Sequence, residues 1–243
     1  MPDKELFKQH ISQQFNSELE EIRTQLLEMG GLVEKQINDA IVALIEGDAK
    51  LAEQVREKDD AINQMELDID QECMRILARR QPAASDLRLV ISISKIIVDL
   101  ERIGDEASKI ARRAIDLVEA GQAPKGYVEC RHIGHHVRRM VQEALDAFAR
   151  MDTDQAFSVA REDKSVDQEY KSAMREMITF MMEDPRSISR VLNILWVLRS
   201  LERVGDHARN VAEHVIYLVK GIDVRHIGLK RMEAEVRRED NPE

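Results

Sequence analysis

Asp99-Leu100-Glu101-Arg102-Ile103-Gly104-Asp105 returns a hundred residues later as Ser200-Leu201-Glu202-Arg203-Val204-Gly205-Asp206. The shared core is E-R-[IV]-G-D, and each copy falls late in a long stretch with the apolar spacing of a helix. In both stretches the glutamate and the aspartate stand one turn apart on the stripe expected to face a neighbouring helix. Taking an ionised carboxylate out of water is costly unless a counter-charge or a metal compensates it. A repeated pair of inward acids is therefore the feature that fold and function must both accommodate.

Working outward, Leu19, Ile22, Leu26, Met29, Val33, Ile37, Ala40 and Leu44 alternate steps of three and four, one face of a long helix ended by Gly47-Asp48. Leu51, Val55, Ile62, Ile69, Cys73 and Ile76 mark a second helix that runs to Arg80, before Pro82. Ser85 or Asp86 can cap a third, which carries Leu87, Ile91, Ser94, Val98, Ala111 and Ile115. The order then recurs. Ile133, Val137, Val141, Ala144, Leu145 and Phe148 lie 104 positions after Met29, Val33, Ile37, Ala40, Ile41 and Leu44, and Asp152 and Asp163 repeat Asp48 and Asp59 at the same offset. The offset shortens to 101 at Glu101 and Glu202, a small deletion in the second copy. Asp184-Pro185 reads as cap and first residue of the last long helix.

The predicted fold is all-α: two tandem three-helix bundles, six long helices, related by internal duplication. The first repeat spans 1–120, a linker 121–126 falls in the run Ala120-Gly121-Gln122-Ala123-Pro124-Lys125-Gly126, and the second repeat spans 127–221. Residues 222–243 read as a short, charged, mobile tail. Helices of about 30 to 40 residues make a body about 45 to 60 Å long.

The 243 residues carry 46 acidic against 36 basic side chains, which argues against a nucleic-acid partner, and the basic doublets have no aromatic residues between them. Two cysteines, Cys73 and Cys130, make neither a disulfide framework nor a four-cysteine zinc site. No apolar run approaches the length that spans a bilayer. A cytoplasmic, soluble protein is expected.

The inward seam of the third helix is predicted to run Leu87, Ile91, Ser94, Val98, Glu101, Asp105, Ser108, and that of its repeat Ile188, Leu192, Leu195, Leu198, Glu202, Asp206, Arg209. On the second helix of each copy Asp59 falls between Val55 and Ile62, and Asp163 between Val159 and Val166; Asp167 follows one turn on, with Asn63 as its counterpart. Two clusters follow: Asp59, Asn63, Glu101 and Asp105, then Asp163, Asp167, Glu202 and Asp206. Oxygen-only donors at this density suit a hard cation, divalent or ferric. Gly104 and Gly205, costly inside a helix, imply close approach of a neighbour. Lys109 stands one turn after Asp105 while Asn210 fills its place in the second copy, so the second cluster is expected to be the stronger metal site. His132, His135 and His136 lack an acid or thiol to complete a zinc site, Cys130 aside, and read as a solvated face. Met174, Met177, Met181 and Met182 read as core and contact surface.

The run R-Q-P-A-x-S-D-L-R at Arg80 to Arg88, D-L-E-R-I-G-D at Asp99 to Asp105 and L-E-R-V-G-D-H-A-x-N-V-A-E at Leu201 to Glu213 resembles the PhoU family of bacterial phosphate-transport regulators. The resemblance implies a dimeric, non-enzymatic adaptor in the cytoplasm, peripheral to the inner membrane through its partners. Those partners would be the sensor histidine kinase of the phosphate two-component system and the ATPase subunit of the phosphate ABC transporter. It also implies negative regulation of the phosphate-starvation response, and metal on E(D)-x-x-x-D motifs, matched here by Glu101/Asp105, Glu202/Asp206 and Asp163/Asp167. Lys109 and Asn63 depart from the family pattern at the first site. A ferritin-like di-metal oxidase or storage protein is the alternative, but such sites use Glu-x-x-His pairs, which neither acid-bearing third helix carries.

Overall fold

A computed structural model describes residues 13–121 and 128–237; the expected linker lies outside them from residue 122 on. The first repeat comprises α1 (Gln13–Glu46), α2 (Ala49–Glu57), α3 (Asp59–Arg80) and α4 (Ala84–Glu119). The second comprises α5 (Val128–Arg150), α6 (Thr153–Glu183) and α7 (Ile188–Lys220), the last entered through a 3-10 turn at Pro185–Ser187. The turns after α1 and α5 are built alike. Asp48 accepts from Leu51 N at 2.9 Å, and Asp152 from Gln155 N at 2.9 Å, each satisfying an amide that the first turn of a helix leaves open. Asp184 does the same for Arg186 N at 3.1 Å, with Pro185 beside it, as the sequence predicts.

Three local expectations change. The single helix predicted from Leu51 to Arg80 is broken at Lys58, where the Lys58 amide bonds back to Gln54 O at 3.3 Å and a new helix starts at Asp59. Neither Ser85 nor Asp86 caps α4; Ala83 holds that place, extended, with no side-chain cap. The tail is not a free strand of charge either. Leu229–Val236 forms α8, which lies on α6 and α7 with Met232 and Val236 buried.

The two bundles are joined by their third helices, α4 against α7, and by their first, α1 against α5. Both pairs run antiparallel. Along α4 and α7, Arg88 Nε donates to Leu218 O at 3.2 Å, Glu106 meets Arg203 at 3.0 Å, and Arg113 stacks over Trp196. Midway lies a buried polar knot: Asp99 Oδ1 accepts from His207 Nδ1 at 2.8 Å and Asn210 Nδ2 at 3.0 Å, and Oδ2 faces His214 Nε2 at 3.6 Å. Along α1 and α5 the duplication shows in the packing. Leu145 fills the space over Gly30, and Ile41 fills the space over Gly134, each pair 104 positions from its twin.

This shared wall explains why the predicted seam is displaced. Because α4 packs on its own bundle and also on α7, Ile93, Ile97, Leu100, Ile103 and Ile110 form its centre. Leu87 is exposed, and Ile91, Ser94, Val98, Glu101, Asp105 and Ser108 lie half-buried at a flank. In α7, Ile188 and Leu192 are likewise exposed while Leu198 and Leu201 are buried. The acids of the first repeat therefore sit at the rim of their bundle, half-buried; in the second repeat Asp206 is exposed and Asp167 half-buried, while Asp163 and Glu202 are buried.

Candidate functional site

Each rim gathers the expected acids. Asp59 opens α3 and accepts from Gln36 Nε2 at 3.0 Å; that amide also reaches Val55 O at 3.2 Å. Burial pushes the Asp59 carboxyl above its usual range, and the neighbouring Asp105 adds to it against the Gln36 hydrogen bond. Burial likewise raises Glu101, followed by the charges of Asp105 and Glu66. In the second repeat burial raises Glu202, with Asp206 next, and raises Asp206, with Asp163 and Asp167 next. Asp163 is buried and raised by it, although Arg209 donates to Asp163 Oδ2 at 3.1 Å. All seven acids singled out from the sequence thus fall into two mutually repelling sets.

The balance between the sets differs from the expectation. Lys109 stands 3.0 Å from Glu106 but 3.8 Å from Asp105, so its charge goes mainly to a residue outside the set. The second set is far from lacking a cation: Arg199 grips both oxygens of Glu202 at 2.6 Å, and Arg209 holds Asp163. Arg203 points away from its neighbouring Glu202 to reach Glu106 on α4, as its position around the helix demands. Glu66, whose charge acts on Glu101, continues the Asp59–Asn63 stripe of α3 by one turn, a signal present in the spacing; its counterpart 104 on is Tyr170.

Of the two glycines, Gly104 shows the close approach that its cost implied, and Gly205 has room for a methyl. A Cβ on Gly104 would stand 3.0 Å from Gln36 Oε1, and one on Gly205 would stand 3.4 Å from Val166. Gln36 is buried, and among the described residues neither its Oε1 nor Asn63 Oδ1 has a hydrogen-bond partner. Two orphaned oxygens beside an all-carboxylate set are the donor chemistry of a hard cation. As the side chains stand, however, no three His, Cys, Asp or Glu among the described residues are grouped to hold a metal ion. Coordination would require carboxylates to turn toward one another.

Among the described residues no helix is long and apolar enough to cross a membrane. The PhoU domain model matches residues 26–114 and again 130–215, one match per bundle. The chain is 72% identical over 236 residues to the phosphate-specific transport system accessory protein PhoU homolog of Pseudomonas aeruginosa, covering 97% of this chain and 98% of that one. It is 52% identical over 219 residues to the phosphate-specific transport system accessory protein PhoU of Escherichia coli, covering 90% of each. The crystal structure of PhoU from Pseudomonas aeruginosa superposes with a TM-score of 0.84, covering 86% of this chain and 100% of that chain at 72% identity. The phosphate transport system regulatory protein PhoU of Streptococcus pneumoniae superposes with a TM-score of 0.79 at 35% identity, over 86% of this chain and 99% of that one. With a domain match in each bundle and relatives aligned along nearly its whole length, the chain belongs to the PhoU family.

Proposed function

We propose that this protein is an accessory regulator of phosphate-specific transport that works as a cytoplasmic, non-enzymatic adaptor. It would stand, as a dimer, between the ATPase subunit of the phosphate transporter and the sensor histidine kinase, and hold the phosphate-starvation response off when phosphate is plentiful. The observation that carries this reading is the 72% identity, over 97% of the chain, to a transport accessory protein. The geometry supports it. Both bundles present long helix faces with a carboxylate set at each rim, and a divalent or ferric ion bridging Asp59, Glu101 and Asp105, or Asp163, Asp167, Glu202 and Asp206, would neutralise acids that now repel one another.

The test is recovery of partners from membranes of cells grown in high and low phosphate, using the tagged full-length chain. Co-purification of the transporter ATPase and the kinase, changing with phosphate, is the expected result. Glu202→Ala with Asp206→Ala should weaken that recruitment while leaving the helical content intact. Recovery of neither partner in either condition would overturn the adaptor reading.

A further inference from the structure

His132 and His136 stand one turn apart in the first half of α5. The sequence offers them no acid; the fold supplies two from α6. Glu169 Oε1 lies 3.1 Å from His136 Nδ1, and Glu169 Oε2 lies 3.3 Å from His132 Nδ1. The other nitrogen of His136, Nε2, stands 3.2 Å from Glu162 Oε2, and Arg139 donates to that same oxygen at 3.1 Å. The His136 side chain is 12% exposed and that of His132 70%.

We propose that His132, His136 and Glu169 form a binding site for a borderline divalent cation of the zinc type, with Glu162 orienting His136. Two imidazoles and one carboxylate are a three-donor set that zinc takes with a water in the fourth place. Donors about 2.0 to 2.1 Å from a tetrahedral ion stand about 3.3 Å from one another; the Nδ1 atoms of His132 and His136 each lie 3.3 Å from Glu169 Oε2. Metal-bound histidines characteristically give their second nitrogen to a carboxylate, which fixes the ring. Glu162 does this for His136, and Arg139 in turn fixes Glu162.

The cluster is not a requirement of the fold. At the equivalent places 104 positions earlier the first repeat carries Glu28, Leu32, Lys58 and Met65, none of them a histidine. Cys130 is no part of it: that thiol is buried, and burial pushes it up to about 12. An open depression of about 490 Å³, bordered by His135 and Arg131 as well as the donors, gives an ion access from solvent. The donors do not surround one point as they stand, since both imidazoles close directly on Glu169. Gathering them needs the Glu169 carboxylate to turn aside from both rings and the exposed His132 ring to rotate, and a bound ion would then pin α5 to α6.

The experiment is calorimetric titration of the chelator-treated full-length protein with zinc chloride, paired with visible absorption of the cobalt(II) form as a signature of nitrogen ligation. His132→Ala changes a solvent-facing side chain and leaves the fold intact, which circular dichroism verifies. We expect one zinc per chain at this site, weakened at least about ten-fold in His132→Ala and in Glu169→Gln, and about ten-fold in Glu162→Gln. Glu101→Gln/Asp105→Asn and Glu202→Gln/Asp206→Asn should leave the cobalt spectrum unchanged. The proposal is overturned if zinc does not bind, if His132→Ala and Glu169→Gln bind it as the parent does, or if only the carboxylate variants lose it.

Discussion

His207 Nδ1 donates to Asp99 Oδ1 at 2.8 Å in the buried wall between α4 and α7, so one ionised side chain of the first repeat is solvated entirely by the second. Burial by itself would push the Asp99 carboxyl up. Hydrogen bonds from His207, His214 and Asn210 outweigh it and hold the group at about 2. A carboxyl lower in the folded than in the unfolded chain adds stability that is complete above the unfolded value. That stability is lost as pH falls through the folded one. Asp99→Asn should therefore cost about 2 kcal/mol at neutral pH. In urea melts the gap between parent and variant should be constant above about pH 4 and close between about pH 4 and pH 2; a gap unchanged down to pH 2 would contradict this account.

Among the described residues no cation is hydrogen-bonded to Asp206, and desolvation together with Asp163 and Asp167 resists its charge. At this solvent-reaching rim screening keeps the effect small, so Asp206→Asn should stabilise the metal-free protein by about 0.5 kcal/mol. If the set takes a divalent ion as proposed, the same variant should lose the stabilisation that manganese or magnesium would give the parent, about 2.7 kcal/mol at a hundred times the dissociation constant. Thermal melts with and without the ion read both effects. Equal shifts in parent and variant would remove Asp206 from the site.

Gly104 and Gly205 occupy equivalent places but differ in what surrounds them. An alanine methyl at Gly205 meets Val166 and Val137 at ordinary contact distance, so Gly205→Ala should gain about 0.5 to 1 kcal/mol from reduced freedom of the unfolded chain. At Gly104 the methyl meets Gln36 Oε1 at 3.0 Å, and Gln36 also holds Asp59. Gly104→Ala should cost about 1 to 3 kcal/mol and disturb the first acid set alone. Opposite signs in chemical denaturation are the expected result.

Fold class and duplication were legible because each rests on period and offset, which are local to the chain. Asp184 as a cap and Gly104 as a point of close contact follow from chemistry that any helix imposes. What was illegible depends on a second surface. The third helices pack on two neighbours at once, so a single-stripe reading put Glu101 and Asp105 at the centre of the bundle when they belong to its rim. Arg199 reaching Glu202 from its own helix, and Glu162 and Glu169 reaching His136 from another, required knowledge of side-chain direction that spacing does not carry. Met232 was concealed by the charges around it: one apolar residue per turn in Leu229–Val236 is a faint signal beside Lys230, Arg231, Glu233 and Glu235.

That concealed residue gives a further prediction. Met232 is fully buried and Val236 nearly so, where α8 lies on α6 and α7. Truncating a buried methionine removes its transfer free energy and leaves a cavity, about 2 to 5 kcal/mol in a rigid core. An eight-residue helix held by Met232, Val236 and the partly buried Leu229 can lift away instead of preserving that cavity, so the cost is capped by the docking energy of α8 itself. Met232→Ala should therefore lower global stability by less than about 2 kcal/mol. Hydrogen exchange would show it: amides of Leu229–Val236 should lose protection in the variant while those of α4 and α7 keep theirs. Uniform loss across all helices would mean that α8 unfolds only with the whole body, and that the segment read as a mobile tail is a full part of the core.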